Sequence, residues 1–151
     1  MQKKSLKYWL TWVGVLPGAL LAGALATFPF HWLLYALNAL GLFDRNEADI
    51  GSVKFFVQLF GNGVSYKDLE YAFYPFVIAV TFIIAGYHIA PSNKFKTSVV
   101  LAILYSLFMV AAVLFAQANG LEPEVGVRTV GVLLGLLLGL FWAWKTSNHK
   151  S

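Results

Sequence analysis

Between Val125 and Trp144 the chain carries no acid, amide or proline, and its one charge is Arg128 near the start. Gly131, Gly135 and Gly139 recur every fourth residue through this run, and Ala143 continues the series. Three glycines inside a water-soluble helix would each cost about 1 kcal/mol against alanine. In a bilayer the same spacing makes a groove through which a second helix backbone approaches closely. The run is also long enough to cross, since roughly 20 apolar residues span about 30 Å of hydrocarbon. A chain organised around such a segment is expected to fold in lipid.

Composition agrees. The 151 residues are 59% hydrophobic and 12% charged, where a soluble domain carries about a quarter charged residues. One membrane domain over residues 1–151 is expected. The chain has no cysteine, so disulfides, thiolate catalysis and thiolate metal sites are excluded. The first apolar run is too long for a signal-peptide core and holds no A-x-A-like cleavage site, so it is expected to stay as a span.

Four spans are expected, at about 8–28, 69–90, 97–118 and 124–144. The first follows Tyr8, Trp9 and Trp12, aromatics that settle at headgroup level. Pro17 should kink it, and Pro29 disfavours helix at Phe28. The apolar run continuing past Pro29 is therefore assigned to a separate helix at about 30–42, lying in or near the interface. There His31, Tyr35 and Asn38 fall at i, i+4 and i+7 on one polar stripe. The stripe either sits among headgroups or lines a ligand pocket. Residues 44–67 form the one extended polar segment, expected to be a partly ordered external loop. Ser65 and Asp68 have the spacing of a capping box opening the second span. Pro91 stops that span, and Ser92 or Asn93 should cap the third. Asn119, Gly120 and Pro123 close the third.

Charge follows this partition. Four spans put both termini on one side, with Lys3, Lys4, Lys7, Lys94, Lys96, Lys145 and Lys150 and no acid. All the acids, Asp44, Glu47, Asp49, Asp68, Glu70, Glu122 and Glu124, fall on the other, with Arg45, Lys54, Lys67 and Arg128. Short loops rich in Lys and Arg stay inside, so both termini are expected to be cytoplasmic, in a bacterial plasma (inner) membrane. The net charge of +4 reflects sidedness, and no nucleic-acid partner is expected.

No catalytic constellation emerges. No Asp or Glu falls in the middle of a span, where proton- and sodium-coupled carriers usually hold an ionisable group. His31, His88 and His149 fall at different levels, whereas zinc needs three or four ligands within about 2 Å of one ion. No metal, cofactor or catalytic residue is assigned. Arg128, one turn before the glycine series and four residues after Glu124, either pairs with that glutamate, or with Asp68 or Glu70 at the same level, or holds an anionic headgroup or an acidic residue of a partner. On the first span Gly14, Gly18 and Ala22, continued by Ala26, repeat the spacing of four. Span four is expected either to pack on that face or to pair with its copy in a homo-oligomer.

The expected architecture is thus an all-α, four-helix membrane bundle with an added interfacial helix. The leading functional expectation is a non-enzymatic accessory or assembly subunit, holding a protein partner through its glycine faces amid membrane lipids. The alternative is an oligomeric channel or a transporter for a lipid or small solute, and an enzyme acting on headgroups comes last.

Overall fold

The computed structural model describes the backbone of residues 6–40, 43–44, 52–53, 66–120 and 125–149. Side chains are described for the same residues except 38, 43–44, 52–53, 66–72 and 125–128. Four helices hold almost all of it: α1 (Leu6–Ala39), α2 (Tyr66–Ile89), α3 (Lys94–Ala118) and α4 (Val125–Asn148). A two-residue antiparallel ladder, β1 (Phe43–Asp44) and β2 (Ser52–Val53), pairs Phe43 with Val53 and Asp44 with Ser52 at the start of the expected external loop. The Ser65 cap and the rest of that loop lie outside the described residues. Segments Leu6–Leu37, Lys94–Ala118 and Thr129–Asn148 are long and apolar enough to cross a membrane. The apolar part of α2 is shorter among the described residues, Phe73–Ile89.

The largest departure from expectation is α1. It runs unbroken for 34 residues with Pro17 and Pro29 inside it, so the expected separate helix at 30–42 is instead the end of α1. Pro29 withdraws one backbone hydrogen bond, a loss that membrane helices tolerate where neighbouring helices support them. That support is visible beyond the proline. Phe30 packs on Phe73 and Tyr74 at ring separations of 5.8 and 5.9 Å, and Leu34 is buried. At 1.5 Å per residue α1 is about 50 Å long, well beyond one crossing.

The second departure is the pairing of helices. The glycine face of α4 does not meet α1. Instead α2 is central, packed most extensively against α4 on one flank and α1 on the other, with α3 against α2 and α4. Its buried residues Ala79, Phe82 and Ile83, with Ala90 just past its end, join Val15 and Ala19 of α1, Leu101 and Ala102 of α3, and Val132 and Leu136 of α4 in one core. The helix that carries residues from both flanks must be small where backbones approach, and Ala79 and Gly86 meet that need.

The α2–α3 turn also differs from expectation. Asn93 takes a left-handed backbone (φ 49°) and makes no side-chain cap. Asparagine is among the few residues that accept this region readily. The Ser92 hydroxyl instead forms a 2.9 Å hydrogen bond with the Tyr8 phenol of α1.

Candidate functional site

Three places collect side chains that could act on something outside the chain: the glycine seam and the two ends of the bundle. A flank groove makes a fourth.

The seam between α2 and α4 is formed where glycine has no Cβ. A Cβ on Gly135 would stand 2.6 Å from the Phe76 carbonyl oxygen and 2.9 Å from the Ala79 Cβ, and one on Gly139 would stand 2.9 Å from the Ile83 Cβ. Gly131 is buried as well. The series that reads as a groove is therefore filled by α2 of the same chain. On α1 the expected face is displaced by one residue. A Cβ on Gly14 would meet nothing within 4 Å, and one on Gly18 would meet only the flexible tip of Ile89. Ala22 is half-buried. The stripe that packs is Val15, Ala19 and Gly23, all buried, with Gly23 closest to the Ile78 carbonyl, which a Cβ there would meet at 3.2 Å. Gly86 of α2, not anticipated from sequence, sits where a Cβ would run into the Leu101 side chain. Its one signal was a glycine inside an apolar helix.

At one end of the bundle α1 and α2 are joined by a polar contact. His31 Nδ1 lies 3.0 Å from the Tyr74 hydroxyl. Trp32 contacts both His31 and Tyr35 edge-on, at 6.3 and 6.0 Å. Of the expected stripe, then, His31 faces α2, Tyr35 is exposed, and the side chain of Asn38 lies outside the described residues. Arg128 lies in the first turns of α4, one turn before Val132, and its side chain is also outside them.

At the opposite end the C-termini of α2 and α4 meet the N-termini of α1 and α3. Tyr87 is the hub, 3% exposed. Trp142 stands edge-on to it at 5.4 Å, Lys94 Nζ lies 5.6 Å from its ring centroid, and Ser147 donates a long hydrogen bond of 3.4 Å to its phenol oxygen. His88 and His31 thus sit at opposite ends, and among the described residues no group of three or more His, Cys, Asp or Glu could hold a metal ion.

Between α3 and α4 opens a groove of about 240 Å³, lined by Met109, Val110, Val113, Leu114, Val132 and Leu133, with Ser106 and Thr129. It exists because the packing of α3 loosens along its length: Tyr105 and Met109 still touch the core, but the fully buried residues lie near its start. Thr97, Ser98, Leu101 and Ala102 are buried, and beyond Ala102 no described residue of α3 is. The Ser106 hydroxyl is satisfied by the Ala102 carbonyl at 2.9 Å, so the lining presents an apolar surface.

Compared with protein-family models, with curated proteins and with solved structures, the chain matches none.

Proposed function

We propose that this chain is a four-span integral membrane protein, with both termini cytoplasmic, that serves as a non-enzymatic accessory or assembly subunit. The single observation that carries the reading is the contrast between the two flanks of the bundle. The α1–α2–α4 unit is closed by small-residue contacts that leave its seams no room. The later half of α3 touches the core through Met109 but leaves Leu107, Phe108, Leu114 and Phe115 exposed and the groove beside α4 unfilled. Since lipid is as apolar as leucine, helices associate in bilayers through shape and close packing. A unit with an unfilled apolar groove is suited to receive a helix of a partner protein there. The glycine series of α4, being covered by α2, is not the docking face in this reading; the groove is.

The test is photo-crosslinking in native membranes from a reactive residue placed at Val110 or Leu133 in the groove, with Leu20 on the exposed face of α1 as reference. The subunit reading expects a discrete protein adduct from the groove positions and none from Leu20. Lipid adducts alone at all three would overturn it.

The groove itself favours the second reading, a carrier for a lipid or small apolar solute, alone or as an oligomer. In liposomes the carrier predicts movement of labelled lipid or solute that stops when Val110→Trp fills the groove. Liposomes that scramble no lipid and conduct no ion would remove it.

A further inference from the structure

The cluster around Tyr87 is not used by either reading. It gathers residues from every helix end on its side. Tyr8 of α1 reaches Ser92, Tyr87 and His88 end α2, Lys94 opens α3, and Trp142 and Ser147 end α4. The His88 ring lies 5.4 Å from Trp142 and 5.8 Å from Tyr87. Lys94, over the Tyr87 face, is a cation held against an aromatic that is closed to solvent.

Among the described side chains at this end of the bundle none is an Asp or Glu. Every Asp and Glu falls in residues 44–70 or 122–124. Glu70 lies seventeen residues before Tyr87 in the same helix, about 25 Å away along its axis. Glu124 directly precedes α4, a similar helical distance from Trp142. Lys7, Lys94, Lys96 and Lys145 lie at the opposite helix ends from Glu70 and Glu124. A basic end of this kind suits an anion supplied from outside the chain. Tyr8, Trp9, Trp12, Trp142 and Trp144 ring this end, and such belts settle at headgroup level. The anion abundant at that depth is lipid phosphate.

We propose that Lys94, with His88 beside Tyr87, holds the phosphate of an anionic phospholipid. Lys94 supplies the charge, the exposed His88 ring a polar edge, and the Trp142 indole the apolar wall beneath the headgroup. The site rests on the membrane-spanning reading but not on the subunit role. The membrane reading is tested separately by cysteine labelling, so failure of one is distinguishable from failure of the other.

The experiment is native mass spectrometry of the full chain in mild detergent, titrated with phosphatidylglycerol, phosphatidylcholine or inorganic phosphate. The wild type should retain phosphatidylglycerol in preference to phosphatidylcholine. Lys94→Gln should lower phosphatidylglycerol affinity about fivefold and leave phosphatidylcholine binding unchanged, and Lys94→Arg should restore it. Lys96→Gln, on an exposed neighbour, should change it by less than about twofold. Should Lys94→Gln fail to fold, His88→Gln gives the same readout. Equal retention of both lipids would overturn the proposal. So would equal losses in Lys94→Gln and Lys96→Gln, which would indicate a diffuse basic surface. Displacement of the lipid by millimolar inorganic phosphate would assign the site to free phosphate instead.

Discussion

Replacing Gly135 by alanine places a methyl group where α2 and α4 already touch. The added carbon would lie 2.6 Å from the Phe76 carbonyl oxygen, 2.9 Å from the Ala79 Cβ and 3.2 Å from the Phe76 Cα. None of these atoms moves by rotamer change, so the helices themselves must part. Restoring an ordinary carbon–oxygen approach of about 3.3 Å needs a separation of roughly 0.7 Å. A gap of that size forfeits a quarter to a half of each dispersion contact it opens. Neighbours along the seam, Val132, Leu136 and Gly139, share the loss because they ride on the same helix. Overpacking of this kind costs about 1–3 kcal/mol. No hydrophobic gain offsets it in lipid. We expect Gly135→Ala to lose about 2 kcal/mol and melt roughly 5 °C lower, read by far-ultraviolet circular dichroism in a mild detergent. Gly14→Ala is the matched control, because its Cβ would meet nothing within 4 Å. It should be unchanged or slightly stabilised, by up to about 1 kcal/mol from helix propensity. A Gly135→Ala protein that melts with the wild type, or a Gly14→Ala protein that loses as much, would refute the seam.

Other expectations follow from the same contacts. Gly139→Ala meets the rigid Ile83 Cβ at 2.9 Å, whereas Gly18→Ala meets only the Ile89 Cδ1 tip at 2.8 Å. In the same melting assay the first should therefore cost about 1–2 kcal/mol and the second a few tenths at most. A double-mutant cycle on His31→Ala and Tyr74→Phe should return a coupling of about 0.5 kcal/mol, small because the pair is exposed; zero coupling would remove this tie between α1 and α2. Gly120, at φ +70°, should lose about 1 kcal/mol on mutation to alanine, and Asn93→Gly should be neutral where Asn93→Val is costly. Chemical denaturation of the three proteins checks the last pair of statements.

Helix existence was readable from sequence because punctuation and hydropathy agree. Pro91 to Asn93 and Asn119 with Gly120 bound α3 within three residues of its expected limits, and α4 begins within one residue of its own. Pro29 misleads because a local preference is weighed there without the tertiary contacts of Phe30 and Leu34 that override it. Which helices pair was not legible either. Small residues lie on adjacent stripes of α1, and choosing Val15, Ala19 and Gly23 over Gly14, Gly18 and Ala22 requires knowing that Ile78, Phe82 and Gly86 oppose them. Likewise Gly131, Gly135 and Gly139 announce a close approach but not its partner. The Tyr87 cluster escaped notice because its members come from four segments with no common spacing. The lysines and aromatics of those segments and their lack of acids were visible beforehand; that they converge on Tyr87 was not.

In the proposed topology the chain crosses the membrane four times, with α2 between α1 and α4 and both termini on the cytoplasmic side. Because the chain has no native cysteine, single cysteines report sidedness without background. Ser92→Cys and Ser147→Cys should react with a membrane-impermeant maleimide only after the membrane is opened, and Asn119→Cys should react in intact cells. Labelling of Ser92→Cys and Asn119→Cys from the same side would contradict the account.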